Sequence, residues 1–431
     1  MTTAPPVPAE GARGAAGFSR GTNQIGVRLY NERLILSLIR RLGSVPKAEI
    51  ARLTGLSAQT VSVIMRQLEA DGLVLKRDPQ RGRVGQPSVP FKLDPDGAFA
   101  LGLKIGRRSS DMVLLDFAGA VRREIRLTHP HPTPAAILRF VRHSLPQLSG
   151  LLPVAQRARI AGLGIATPFE LWNWEQEVGA PAQVMDQWRE FDTAAEIAAL
   201  SAWPVTLCND ATAACAAELI LGQGWRYADF LYVFIGSFIG GGVVLNGSLY
   251  PGRTGNAGAI GSMPIARASA NGGPLTQQLI RSASIWVLEK KLLAAGRDAS
   301  RLWRSPREWE DFGAPLEEWI DEVADSLAPA IAAATAVLDF EAVIVDGAFP
   351  AAIGARIVER TRASLELLDR QGLSPVTLIQ GAVGAGARAV GGACLPLLAR
   401  FGRDQEVLLK DNEAPAGGNG LRPGIGGVAP R

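Results

Sequence analysis

The chain changes its hydrophobic rhythm once. From Asn31 to Leu42 the apolar residues Leu34, Ile35, Leu38, Ile39 and Leu42 recur at helical spacing, and Gly43 stops the run. Lys47 to Thr54 predicts a second, short helix with Ile50 and Leu53 turned inward. Gly55-Leu56-Ser57 reads as a turn, and Val61, Ile64, Met65 and Leu68 form the buried stripe of a third helix over about 58–70. Asp71-Gly72 ends that helix. LVLK begins a strand, the polar loop RDPQRGRVGQPS follows, and FKLD supplies a second strand. After Asp96 strands and helices alternate. Strands are predicted at 99–105, 111–116, 121–127, 159–165, 204–208, 229–235, 241–246, 341–346 and 375–379. Helices are predicted near 134–148, 191–200, 210–222, 274–293, 315–337, 350–368 and 383–400. That alternation implies a mixed sheet covered by helices.

Helix, short helix, three-residue turn and helix is the order of a helix-turn-helix, and the strand pair after it reads as a wing. Gly55 can take positive φ, Leu56 plugs the turn, and Ser57 caps the next helix. Ala51 is small enough for the two helices to approach closely. The third helix offers Ser57, Ala58, Gln59, Thr60, Ser62, Val63 and Arg66 at the end that meets base edges in a major groove. Gln59 suits adenine, Thr60 and Ser62 suit base or phosphate, and Arg66 suits phosphate. Lys76, Arg77, Arg81 and Arg83 cluster in the wing, which Gly82 and Gly85 keep slender enough for a minor groove. The alternative is a protein-docking module with a solvated basic loop.

Charge sharpens this division. Residues 1–93 hold 14 Lys and Arg against 6 Asp and Glu, whereas the remainder holds 31 against 35. A basic head on a mildly acidic body suggests a polyanionic partner for the head alone. Three cysteines, Cys208, Cys215 and Cys394, form no CxxC pair, so spacing predicts neither a disulfide framework nor a zinc site. The first residues lack the apolar core of a signal peptide, and no apolar run has membrane-spanning length, so a cytoplasmic location is the expectation. The Ala-, Pro- and Gly-rich ends predict the organisation: 1–26 a disordered tail, 27–95 the winged head, 97–403 the α/β body and 404–431 a flexible tail.

Glycines in the body fall at strand ends, in YVFIGSFIGGGVVLNGSLYPG (232–252), VIVDGAFP (343–350) and IQGAVGAGARAVGGA (379–393). No GxxxxGK[ST] is present. The order of LGLKIGRRSSDMVLLDFAG, the pair Asn209-Asp210 in CNDATAACAAELILG, the hairpin SFIGGGVVLNGSLYPGRTGNAGAIGSMPI, and VIVDGAF resembles the ROK family of repressors and sugar kinases over roughly 28–400. The resemblance implies an actin-like, hexokinase-like body of two lobes with a cleft between them, behind a winged helix-turn-helix.

This chain departs from the family's kinases at the motifs that do chemistry. Where they carry Asp-x-Gly-Gly-Thr, it has Lys104-Ile105-Gly106-Arg107-Arg108. A lysine cannot ligate Mg²⁺ as a cation, and the two arginines would crowd the phosphate approach. Where sugar-binding members carry Glu-x-Gly-His, it has Ala259 and Ser262, and ARASANGGPLTQQ replaces the family's cysteine-rich zinc motif. Neither metal nor cofactor is expected, and no catalytic residue is assigned. Asn209 and Asp210 would bind a polyol effector together with Asn256 and Ser262. Alternatively Asn209 simply caps the helix that Asp210 begins. Trp172, Trp174 and Trp188 suit either the apolar face of a sugar or the core. His129 and His131 read as loop residues, and His143 as a helix surface. The resemblance implies a regulator, a repressor above all, of carbohydrate or related genes. Its partners would be duplex DNA at an inverted repeat, a second copy in a homodimer or tetramer, and a sugar or other small molecule, with no membrane. The competing readings are an ATP-dependent sugar kinase with an added DNA-binding head, and a docking scaffold.

Overall fold

The turn at Gly55-Leu56-Ser57 sets the geometry of the amino-terminal unit. The computed structural model describes residues 24–78, 89–168, 171–174, 180–268, 274–304 and 309–402. Helices α1 (Gln24–Leu42), α2 (Lys47–Thr54) and α3 (Ala58–Ala70) pack with a small sheet in which β1 (Val45–Pro46), between α1 and α2, joins β2 (Val74–Lys76) and β3 (Pro90–Leu93) in the order β1-β3-β2. Helix α2 stops because Gly55 is left-handed at φ 71° and its N–H bonds back to Ala51. Helix α3 starts because the Ser57 hydroxyl accepts from the Thr60 N–H at 3.1 Å.

The apolar stripes differ from expectation in two places. Helix α1 begins at Gln24 and buries Ile35, Leu36 and Ile39, while Leu42 is exposed. In α2 only Ile50 is inward; Leu53 is 44% exposed. Leu34, Leu38 and Leu53 instead line a groove between head and body. One narrow helical stripe cannot serve the head's own core and this seam together, so the leucines divide between them.

The body holds two sheets of the same design. In the first lobe β4 (Phe99–Ile105), β5 (Ser109–Asp116) and β6 (Val121–Thr128) are antiparallel, and β7 (Ile160–Thr167) and β8 (Val205–Asn209) extend the β4 edge in parallel, giving β6-β5-β4-β7-β8. In the second lobe β9 (Phe230–Ile235), β10 (Ile239–Leu245) and β11 (Ser248–Tyr250) are antiparallel. There β14 (Ala342–Gly347) and β15 (Thr377–Gln380) extend the β9 edge in parallel. Strand β4 is buried throughout, as a strand covered on both faces must be.

Residues 274–293 are not one helix. Pro264–Ala268 (β12) and Pro274–Gln278 (β13) pair as an antiparallel ribbon, and helix resumes only at Ile280. The alternation in PLTQQ carries no helical stripe, so strand pairing to Ile265 prevails there.

Helix α4 (Pro134–Gly150) covers the first sheet. Helix α5 (Asp210–Leu221) and the last helix, here α9 (Ala387–Phe401), pack on each other between the lobes; α6 (Ile285–Ala294), α7 (Ala314–Leu338) and α8 (Ala351–Glu366) belong to the second lobe. The glycines of the last helix serve this packing. A Cβ on Gly391 would lie 1.8 Å from the Ala213 carbonyl oxygen, and one on Gly164 would lie 1.9 Å from that of Gly392. The glycine-rich run into α9 is therefore a close-approach surface of this helix against both α5 and the first sheet.

The head is not hung on a linker. Its core, with Ile35, Ile39, Val61, Met65 and Phe91, is continuous with Val113, Leu115, Phe117, Ala393 and Leu397 of the body. Arg40 donates to the Phe117 carbonyl at 2.6 Å and lies over its ring at 5.0 Å. Arg33 and Arg41 donate to the carbonyls of Ala399 and Trp225. No described helix is long and apolar enough to cross a membrane.

Candidate functional site: a DNA face and an interlobe cleft

Helix α3 turns Ser57, Ala58, Gln59, Val63 and Arg66 outward, with Thr60 and Ser62 half-buried. The local chemistry sorts the predicted contacts. Ser57 and Thr60 share a hydroxyl–hydroxyl bond of 2.8 Å as well as the cap, so their oxygens are engaged in holding the helix start. Gln59 projects beside them. Arg66 leans back on the Ser62 carbonyl at 3.3 Å. In the wing, Lys76 and Arg77 are exposed, and Lys76 pairs with Glu69 at 2.6 Å. An exposed pair of this kind is weak enough to exchange for phosphate. Arg81 and Arg83 lie outside the described residues. The predicted face is thus assembled from the first turns of α3 and the base of the wing.

The second site lies between the lobes. A cavity of about 120 Å³ is lined by all four predicted effector residues, Asn209, Asp210, Asn256 and Ser262. The capping reading of Asn209 holds: its Oδ1 accepts from the N–H of Ala211 at 3.0 Å and of Thr212 at 3.3 Å, so it caps α5 at the cavity wall. Ser262 is exposed at the cavity's edge and Asn256 half-buried. Sequence reasoning missed Arg107 as a lining residue, and it missed Phe234, Phe238 and Arg388 altogether. Arg388 donates to Asp210 at 3.0 Å and lies over the Phe234 ring at 5.0 Å. It is the one charged residue in the run Ile379 to Ala393, the only sequence signal that could have marked it.

The first turn of the body shows what became of the phosphate cradle. Lys104 is buried; its ammonium donates to Asp111 Oδ2 at 2.7 Å and to Ser109 Oγ at 2.8 Å. Arg126 takes the other oxygen of Asp111 at 2.5 Å. Burial pulls the Lys104 pKa down to about 8, against the attraction of Asp111. Burial also opposes ionisation of Asp111, yet Lys104 and Arg126 hold it below its ordinary value. A Cβ on Gly106 would lie 2.5 Å from Lys104 Cε, so the lysine stem fills the space over the glycine turn.

The arginines do more than crowd this turn. Arg107 and Arg108 reach across to Glu289 on α6 of the other lobe at 2.5 and 3.2 Å, and Arg108 also donates to the Pro130 carbonyl. Among the described residues the cavity wall contains a single carboxylate, Asp210, already paired with an arginine. These residues do not fit a magnesium nucleotide: the position that would hold the metal carries an internal ammonium instead.

Other marked residues make internal contacts, and the side chain of Trp174 lies outside the described residues. Asp346 of VIVDGAF accepts from the N–H groups of Gly347 and Gly384 and from Tyr232, and Glu218 accepts from those of Gln223, Ala382 and Val383. Burial raises both carboxyl pKa values. Trp188 is core, donating to the Pro132 carbonyl, and Trp172 lies under Arg189. His129 contacts Ser110 at 3.1 Å; burial, then Lys104, lowers its pKa to about 4.

A winged helix-turn-helix fused through a continuous core to a two-lobed, phosphotransferase-like body defines a class: DNA-binding transcriptional regulators built on a sugar-kinase scaffold. The chain belongs to the ROK family, whose profile matches residues 100–396, and a winged helix-turn-helix DNA-binding profile matches residues 28–74. It is similar to the xylose repressor of Bacillus subtilis, at 25% identity over 247 residues, 56% of this chain and 62% of that one. Among solved structures it resembles a ROK family transcriptional regulator described as a homologue of the Escherichia coli MLC protein. That match has a TM-score of 0.60 and 19% identity, over 88% of this chain and 98% of the other. It also resembles a ROK family glucokinase from Streptomyces griseus, solved with glucose and AMPPNP, with a TM-score of 0.53 and 19% identity over 69% and 99% of the two chains.

Proposed function

We propose that the protein is a ligand-responsive repressor of carbohydrate or related genes, that it binds an inverted repeat as a homodimer, and that it does not phosphorylate sugars. The observation that carries this reading is the exchange of charge at the cleft. A buried Lys104–Asp111 pair stands where a kinase needs an acid for its metal, while the basic head retains an exposed reading face. Gln59 reads a base edge; Arg66, Lys76 and Arg77 contact phosphate, with Arg81 and Arg83 entering the adjoining groove. Ser57 and Thr60 hold the helix start, with Ala58 and Ser62 against the backbone of the duplex. Two-fold symmetry of the dimer matches two-fold symmetry of the operator. In the cleft, Asn209, Asp210, Asn256 and Ser262 bind the effector.

The test is direct. Purified protein is titrated against DNA from its own upstream region at several salt concentrations and footprinted. A protected palindrome, with affinity falling steeply as salt rises, supports the proposal. Replacing Arg66 with Ala should flatten the salt slope by about 0.9, one phosphate contact. Salt-insensitive or absent DNA binding overturns it. ATP-dependent phosphorylation of any sugar by the same preparation would transfer the chain to the kinase reading.

A further inference from the structure

The outer ridge of helix α3 carries a narrow chemistry. At about 100° per residue, Gln59, Val63, Arg66 and Ala70 stand opposite the buried stripe of Val61, Ile64, Met65 and Leu68. The polar side chains beside and behind the leading end of this ridge are engaged. Thr60 shares its hydroxyl with Ser57 at 2.8 Å, and Arg66 donates to the Ser62 carbonyl at 3.3 Å. Facing directly outward in the first two turns are the Gln59 amide and the Val63 isopropyl group, the latter 47% exposed. Val63 lies outside the head's core, and as a β-branched residue it costs helix propensity relative to Ala. Its side chain is nevertheless well prepared for an external contact. A helical Val keeps one strongly preferred χ1 rotamer, so its two methyls are fixed before any partner arrives. The first turn of α3 has no acidic residue to repel a duplex.

Resting on the DNA-binding reading above, we propose that Val63 determines base specificity: its methyls pack on the 5-methyl group of a thymine in each half-site, beside the base that Gln59 hydrogen-bonds. The thymine methyl is the apolar group on the major-groove edge, so it is the base feature that a saturated side chain recognises. An isopropyl group has no donor or acceptor, so it neither holds a phosphate nor bonds a purine edge. Gln59 and Val63 are one turn apart, a separation of about 5–6 Å between Cβ atoms. Successive bases rise about 3.4 Å along a strand, so the two side chains meet bases one or two steps apart. The contact also selects against cytosine at the same place. Cytosine presents its N4 amine there, and an isopropyl group over that donor would strip its water without replacing the hydrogen bond.

The experiment uses the full chain. A half-site is first defined by selecting bound duplexes from a random pool. Each of its thymines is then replaced singly by deoxyuridine, which removes the methyl and leaves every hydrogen-bonding group. One such replacement should weaken wild-type binding about fourfold, the weight of one buried methyl group. Val63→Ala should be insensitive to that replacement and should bind the unmodified duplex several-fold more weakly than wild type, with the salt slope unchanged because no phosphate contact is lost. Val63→Thr, which keeps the β-branch and one methyl, should retain part of the uracil effect. Melting curves check that both variants fold, and the wild-type uracil profile stands without them. The proposal fails if no thymine methyl matters to wild type, if the methyl effect persists undiminished in Val63→Ala, or if Val63→Ala lowers the salt slope. In each of those cases salt-sensitive binding to the selected duplex leaves the regulator reading intact; a pool that yields no bound duplex overturns both.

Discussion

At the scale of single residues, the molecule is most informative where a charge has been buried. Lys104 was legible as a departure from a kinase motif, but its partner was not, because Asp111 and Arg126 reach it only through the pairing of β4, β5 and β6. Removing the acid strands a buried ammonium beside Arg126 and Arg388. Asp111→Ala should therefore lower the unfolding free energy by about 3–5 kcal/mol, and Lys104→Met in the same chain should recover much of it. Urea denaturation of the two variants measures both. His129 gives a pH signature. Its folded pKa, about 4, lies below the ordinary value of about 6.5, so the folded state binds fewer protons. The stability it contributes is present above about pH 6.5 and is lost as the pH falls through about 4. Partial exposure of the ring trims the effect to about 1–2 kcal/mol. His129→Gln should flatten the stability curve over that window.

At the scale of elements, local patterns predicted what local chemistry decides. The Gly55 stop and the Ser57 cap were readable because each acts within a few residues, and Ser57→Ala should cost about 1 kcal/mol of thermal stability. Strands β4, β5, β9, β10 and β14 were readable from buried apolar runs and the exposed β6 from its alternation, whereas the short β11 was not expected. Residues 274–278 were misread because their pairing partner lies ten residues upstream, and the Leu53 side chain was misassigned because its neighbours belong to the body. The polar members of the cleft were found from motif positions. Arg388 was not, since its role depends on how the last helix lies against α5.

At the scale of the whole molecule, the two lobes repeat one strand topology, and the cleft between them is spanned by Arg107, Arg108 and Glu289. A kinase closes such a cleft around nucleotide; this chain clasps it with its own side chains. The unbroken hydrophobic seam beneath α1 has a mechanical corollary. Severed from residues 97 onward, the amino-terminal module would present Ile35, Phe91 and their neighbours to water along the edge that Phe117 and Leu397 now cover. It is a shoulder rather than a pendant, so in the proposed dimer any repositioning of the heads over a duplex has to originate where protomers or lobes pivot, not where head meets trunk.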